Sequence, residues 1–158
     1  VRTIVIGLGN PVRADDGVGL AVARLLRERL EGVEDIDVTE LWAGGLRLAE
    51  AMSGYDRAIV IDALCTGDKE PGSVCRLDLS DLGAARTTTC VHDTSLPTAI
   101  EVWRRLGAPL PEEISVWGIE VESVDVVSEQ FTEPVAQAVP RAAEAIWNQL
   151  NQHGGRVA

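Results

Sequence analysis

The sequence predicts a three-layer α/β/α fold around a mostly parallel, mixed five-stranded twisted sheet. Three observations carry that expectation. Short β-branched runs alternate along the chain with segments of helical periodicity, the order expected of βα units. Arg57-Ala58-Ile59-Val60-Ile61-Asp62 holds a continuous apolar run, as a strand covered on both faces requires. Ile4-Val5-Ile6 feeds the glycine-rich Gly7-Leu8-Gly9-Asn10-Pro11, and the paired carboxylates Asp15-Asp16 then open an amphipathic segment. That reads as strand, loop and helix N-terminus.

Taken in order, residues 3–8 form the first strand and Gly17 to about Leu30 the first helix, with Val18, Val22, Leu25 and Leu26 on one face. Ile36 and Val38 alternate with Asp37 and Thr39, which suits a half-buried strand near an edge. Gly44-Gly45 precedes a short helix over 46–53, where Leu48 and Met52 share a face. The strand at 57–62 ends on Asp62. After the Pro71-Gly72 turn, Cys75, Leu77 and Leu79 alternate with polar neighbours across 73–79. Ser95 to Leu106 reads as helix through Leu96, Ala99, Ile100 and Trp103, and Ile114 to Ile119 as the last strand. The closing helix, Thr132 to Leu150, turns Val135, Val139, Ala143, Ile146 and Leu150 inward and should kink at Pro140.

At 158 residues the chain is expected to be a single domain, with no repeat or linker. Its 25 acids outweigh its 14 Lys and Arg, a net charge of −11 that disfavours a nucleic-acid backbone or an anionic membrane as partner. Three cysteines, Cys65, Cys75 and Cys90, form no CxxC pair and cannot all pair within the chain, which points to a reducing cytoplasm. No apolar stretch is long enough to span a membrane, and the opening strand leaves no visible signal peptide.

Three residues stand out for chemistry. Asp16 opens the first helix, Asp62 ends a buried strand, and His92 sits in Cys90-Val91-His92-Asp93-Thr94-Ser95, a segment leading into a helix. All three project from loops at the carboxyl edge of one sheet, where open α/β folds keep their ligand crevices. Two carboxylates and one imidazole suit nickel, zinc, manganese or iron, with positions left for water or substrate. Asp15 and Asp93 then act as supporting or capping groups. Singly, each has a plainer explanation: Asp15 as a cap, Asp16 as a complement to the helix dipole, Asp62 as a turn former, His92 as a backbone partner. His153, the other histidine, falls in the polar C-terminal stretch.

The competing chemistries fit less well. Gly7 and Gly9 begin a G-x-G-x-x-G pattern, but Val12 stands at the third glycine and no G-K-[ST] follows. The two acids would also repel a phosphate from the helix start. Cys65, Cys90 and His92 match no standard zinc spacing, and nothing marks Cys90 as an activated nucleophile.

Four stretches carry a resemblance: Gly7-Leu8-Gly9-Asn10 with Asp15-Asp16-Gly17-Val18-Gly19, Ile59-Val60-Ile61-Asp62-Ala63 with Pro71-Gly72, His92-Asp93, and Trp117-Gly118-Ile119-Glu120. Together they resemble the hydrogenase maturation endopeptidases, which trim a C-terminal extension from the large subunit of nickel–iron hydrogenases. The resemblance implies a phosphorylase/hydrolase-like fold and assigns the family's metal-binding acids to Asp16 and Asp62 and its histidine to His92. It implies a peptidase whose partner is the large-subunit precursor; a monomer that meets that precursor transiently is the plain expectation. The nickel belongs to that precursor and serves as the signal for cleavage. Two departures bear on substrate choice. Trp42-Ala43-Gly44-Gly45-Leu46 lacks the acid and threonine of an Asp-Gly-Gly-Thr type turn, and Val121 replaces a proline usual after Gly118-Ile119. Two alternatives remain. A non-catalytic nickel carrier or sensor would use the same three ligands. Peptidyl-tRNA hydrolases share Gly-Leu-Gly-Asn-Pro, but their early catalytic histidine has no counterpart before His92.

Overall fold

The computed structural model describes residues 1–42, 45–79, 96–122 and 127–153. Its sheet comprises β1 (Thr3–Leu8), β2 (Ile36–Leu41), β3 (Arg57–Leu64), β4 (Val74–Asp78) and β5 (Glu113–Glu120) in the order β2-β1-β3-β5-β4. β2, β1, β3 and β5 run parallel, and β4 joins the edge antiparallel to β5. The helices are α1 (Val18–Arg29), α2 (Leu46–Met52), α3 (Leu96–Arg105) and α4 (Glu133–His153). The mixed five-stranded sheet with helices on both faces is the predicted architecture.

Strand alternation sorts the core into two layers. Val5, Ile59, Ile61 and Ile119 pack against α1 and α4 through Val22, Leu26, Ala143 and Ile146. Their neighbours Ile4, Ile6, Val60 and Val116 turn the other way, onto Leu48 and Met52 of α2 and Ile100 of α3. Fully burying one such Leu or Ile contributes about 1.5–3 kcal/mol, so this alternation sets the register of each strand. β1 continues to β2 by way of α1, and the chain then returns past β1 to β3 by way of α2. Right-handed crossovers in opposite directions require helices on opposite faces, as found. The reversal falls between the carboxyl ends of β1 and β3, the place where open α/β folds keep a ligand crevice.

A polar stitch fastens α4 to β5. Trp117 donates its indole N–H to Gln149 Oε1 at 2.7 Å, and Gln149 Nε2 donates to Ser115 Oγ at 3.1 Å. At the β2 edge, Arg24 and Arg27 of α1 pair with Glu40 at 2.8 Å each. Burial raises the Glu40 carboxyl, but the two guanidiniums outweigh it and hold its pKa below the ordinary value.

Several boundaries differ from expectation. β3 runs on to Leu64, because Ala63 and Leu64 still pair with Ile119 and Glu120. A short 3-10 turn, Ala14–Gly17, precedes α1. α4 continues through Pro140 as one helix and ends on His153, beyond the expected Leu150. Leu20, outside the expected apolar stripe of α1, is wholly buried.

Candidate active site

The carboxyl edge is shaped by close backbone approach. Gly7 on β1 and Gly19 on α1 abut: a Cβ on Gly7 would run into the Gly19 carbonyl and Ala23, and one on Gly19 into the carbonyls of Leu8 and Ile61. A Cβ on Gly9 would strike the backbone of Asp16. These glycines let the first turn of α1 sit down onto β1 and β3. The 3-10 turn ahead of it packs on β3 as well. Asp16 rides on that turn and is only 6 % exposed.

Asp62 lies two residues before the end of β3 and is 3 % exposed. Its Oδ1 accepts the Ala63 N–H at 2.8 Å. Its partner across the ladder is Gly118 of β5, and the space over that glycine is filled by Leu64. The fold therefore carries the elements bearing Asp16 and Asp62 to the same carboxyl edge of the sheet. His92, Cys90 and Asp93 lie outside the described residues. Among the described residues no group of three His, Cys, Asp or Glu side chains is disposed to hold a metal.

Asp15 has another role than capping its own helix. Its Oδ1 accepts the Thr132 N–H and its Oδ2 the Thr132 hydroxyl, both at 2.8 Å, so it fastens the start of α4. No side chain caps the 3-10 turn or α1. Ala14, just before it, holds φ of +36°, a left-handed backbone unusual for a residue with a side chain. Its N–H donates to the Ser128 carbonyl at 2.5 Å.

Glu120, the last residue of the Trp117-Gly118-Ile119-Glu120 motif, is a further buried acid at this edge, 2 % exposed. Its carboxylate accepts the N–H groups of Thr66 and Gly67 at 2.8 and 2.9 Å and the Thr66 hydroxyl at 3.0 Å. Three donors around one carboxylate organise the loop leaving β3. An acid closing the last predicted strand, as Asp62 was read to close its own, was the available signal. Cys65 and Cys75 are half-buried free thiols directed at the carbonyls of Glu122 and Gly118.

Chemically, Asp16 and Asp62 offer hard oxygen donors, and both are nearly buried. Burial strengthens their attraction for a cation, because little water competes. With an imidazole added, such a donor set fits a divalent ion of the nickel or zinc class.

Comparison with known proteins gives a consistent result. The sequence profile of the hydrogenase maturation protease family matches residues 20–149, taking in Asp62 and His92 and beginning after Asp16. The hydrogenase expression/formation protein HupD of Rhizobium leguminosarum bv. viciae is 25% identical over 157 residues, covering 97% of this chain and 76% of that one. The hydrogenase maturating endopeptidase HybD from E. coli superposes with a TM-score of 0.81 at 21% identity, over 98% of this chain and 94% of the other. The NiFe hydrogenase maturation protease HybD from Thermococcus kodakarensis gives 0.68 at 25% identity, over 94% and 99%. With the profile spanning most of its length, this chain belongs to the hydrogenase maturation protease family.

Proposed function

We propose that this protein is an endopeptidase that removes the C-terminal extension of a nickel–iron hydrogenase large-subunit precursor after nickel has been inserted. The burial of Asp16 and Asp62 around the β1–β3 crevice is the observation that carries this reading. The names of its relatives support a protease acting on a hydrogenase. Asp16, Asp62 and His92 are the proposed ligands, and the metal they engage arrives with the substrate. Two oxygens and a nitrogen from the enzyme leave coordination positions for the precursor's own ligands, so the ion joins the two proteins only once it has been installed. Fixing the scissile bond beside the crevice then converts an encounter into an intramolecular alignment. The acidic surface and the peptide substrate are consistent with a cytoplasmic monomer that meets its precursor transiently.

The test is incubation with the matched precursor, with and without inserted nickel, followed by mass spectrometry. Loss of the extension from the nickel-loaded form alone is expected. Cleavage of both forms would remove nickel from the reading. Cleavage of neither, with nickel bound to the protein itself, would favour a carrier.

A further inference from the structure

The turn that bears Asp16 is held from outside by the segment leading into α4. Arg13 bridges Ser128, the Ala14 N–H donates to the Ser128 carbonyl, and the Phe131 ring lies against Gly17. Thr132 then closes both donors on the two oxygens of Asp15 at 2.8 Å, across 117 positions of sequence. Within the turn, the Asp16 N–H reaches the Arg13 carbonyl at 2.8 Å, so the turn behaves as one small unit. Ala14 adopts its left-handed φ at the point where this segment grips it. Such backbone persists only where surrounding contacts over-determine it.

We infer that Thr132 is a positioning residue, acting through Asp15 to set where the Asp16 carboxylate stands in the crevice. The inference rests on the proposed role of Asp16. Two adjacent carboxylates could otherwise compete for the same cation. Engaging both oxygens of Asp15 with Thr132 takes that neighbour out of contention. Thr132 itself is exposed, so changing it removes a hydroxyl and little packing. Its effect is on geometry, and geometry matters here: a displacement of about 1 Å at a reacting centre costs on the order of 100-fold in rate.

The experiment compares Thr132→Val, which loses only the hydroxyl donor, with Thr132→Ser, which retains it. Amide hydrogen exchange across Ala14–Gly17 is followed together with kcat and KM for the nickel-loaded precursor. We expect T132V to melt close to the parent, to exchange faster through the turn, and to lose roughly 10- to 100-fold in kcat with KM little changed. T132S should restore both protection and rate. Unchanged exchange in T132V would overturn the inference. So would a rate loss that follows the melting temperature or that T132S fails to rescue. Should the parent protein itself not cleave the precursor, the proposed function fails, and the exchange data alone decide whether Thr132 orders the turn.

Discussion

Gly7 and Gly19 touch backbone to backbone, with no room between β1 and α1 for a Cβ on either residue. The pair draws the helix onto the sheet where the carboxylate turn begins. Gly19→Ala should therefore be far worse than the helix propensity of alanine suggests. The new methyl meets the Leu8 and Ile61 carbonyls, which cannot rotate away as a side chain could. Overpacking of this kind costs about 1–3 kcal/mol. Urea denaturation should show the lowered midpoint, and precursor cleavage should fall further than the unfolded fraction explains. An unchanged midpoint would mean that α1 can lift without strain.

Asp62 combines a structural contact with a proposed chemical task, and two substitutions can separate them. In Asp62→Asn the amide oxygen can still accept the Ala63 N–H, so the melting temperature should stay near the parent value while precursor processing disappears. Asp62→Ala removes the side-chain acceptor of that N–H, and should cost about 1 kcal/mol as well as activity. Equal melting temperatures for the two variants would refute the separation.

Gln149 presents the opposite case, stability without chemistry. Gln149→Leu removes the acceptor of the Trp117 indole and the donor to Ser115. The expected loss is about 1–3 kcal/mol, with a shift in tryptophan emission. At temperatures where the variant is folded, its cleavage rate should match the parent. A selective rate defect would show that this stitch reaches the crevice.

Glu40 predicts a pH dependence. Its folded pKa lies below the unfolded one, so its contribution is present above the unfolded value and is lost as pH falls through the folded value. The stability gap between the parent and Glu40→Gln should be steady near neutrality and close in acid. The gap itself should be about 1 kcal/mol, since both arginines remain partly exposed. A gap that does not narrow at all as the pH is lowered through the acid range would assign the effect to packing.

Much of this fold is legible in periodicity. Ile59, Val60 and Ile61 announce a strand covered on both faces, and both core layers claim them. Leu48 and Met52 mark α2 by spacing alone. Boundaries were harder, because they depend on partners. Ala63 and Leu64 extend β3 only because β5 is there to pair with them. Leu20 is buried by the crowding of α1 onto the sheet, which a single-face pattern does not encode. At the site, Asp16 and Asp62 could be placed by their positions at strand and helix ends. The task of Asp15 could not, since Thr132 lies at the far end of the chain. Glu120 gave a local signal, but its meaning depends on the Thr66–Gly67 loop folding back onto it.

The strand order has a consequence for how the crevice comes to exist. Asp16 hangs from the first βα unit and Asp62 from the strand added on the opposite side of β1, so the crevice is a seam between two stretches of chain. The turn at Ser53–Gly54, where the exposed Gly54 holds φ of +85°, divides those stretches. A chain opened at that turn would yield two pieces, each with one of the two proposed ligand acids. Only zipping β1 against β3 would bring the pieces to life, making peptidase activity a direct reporter of sheet assembly.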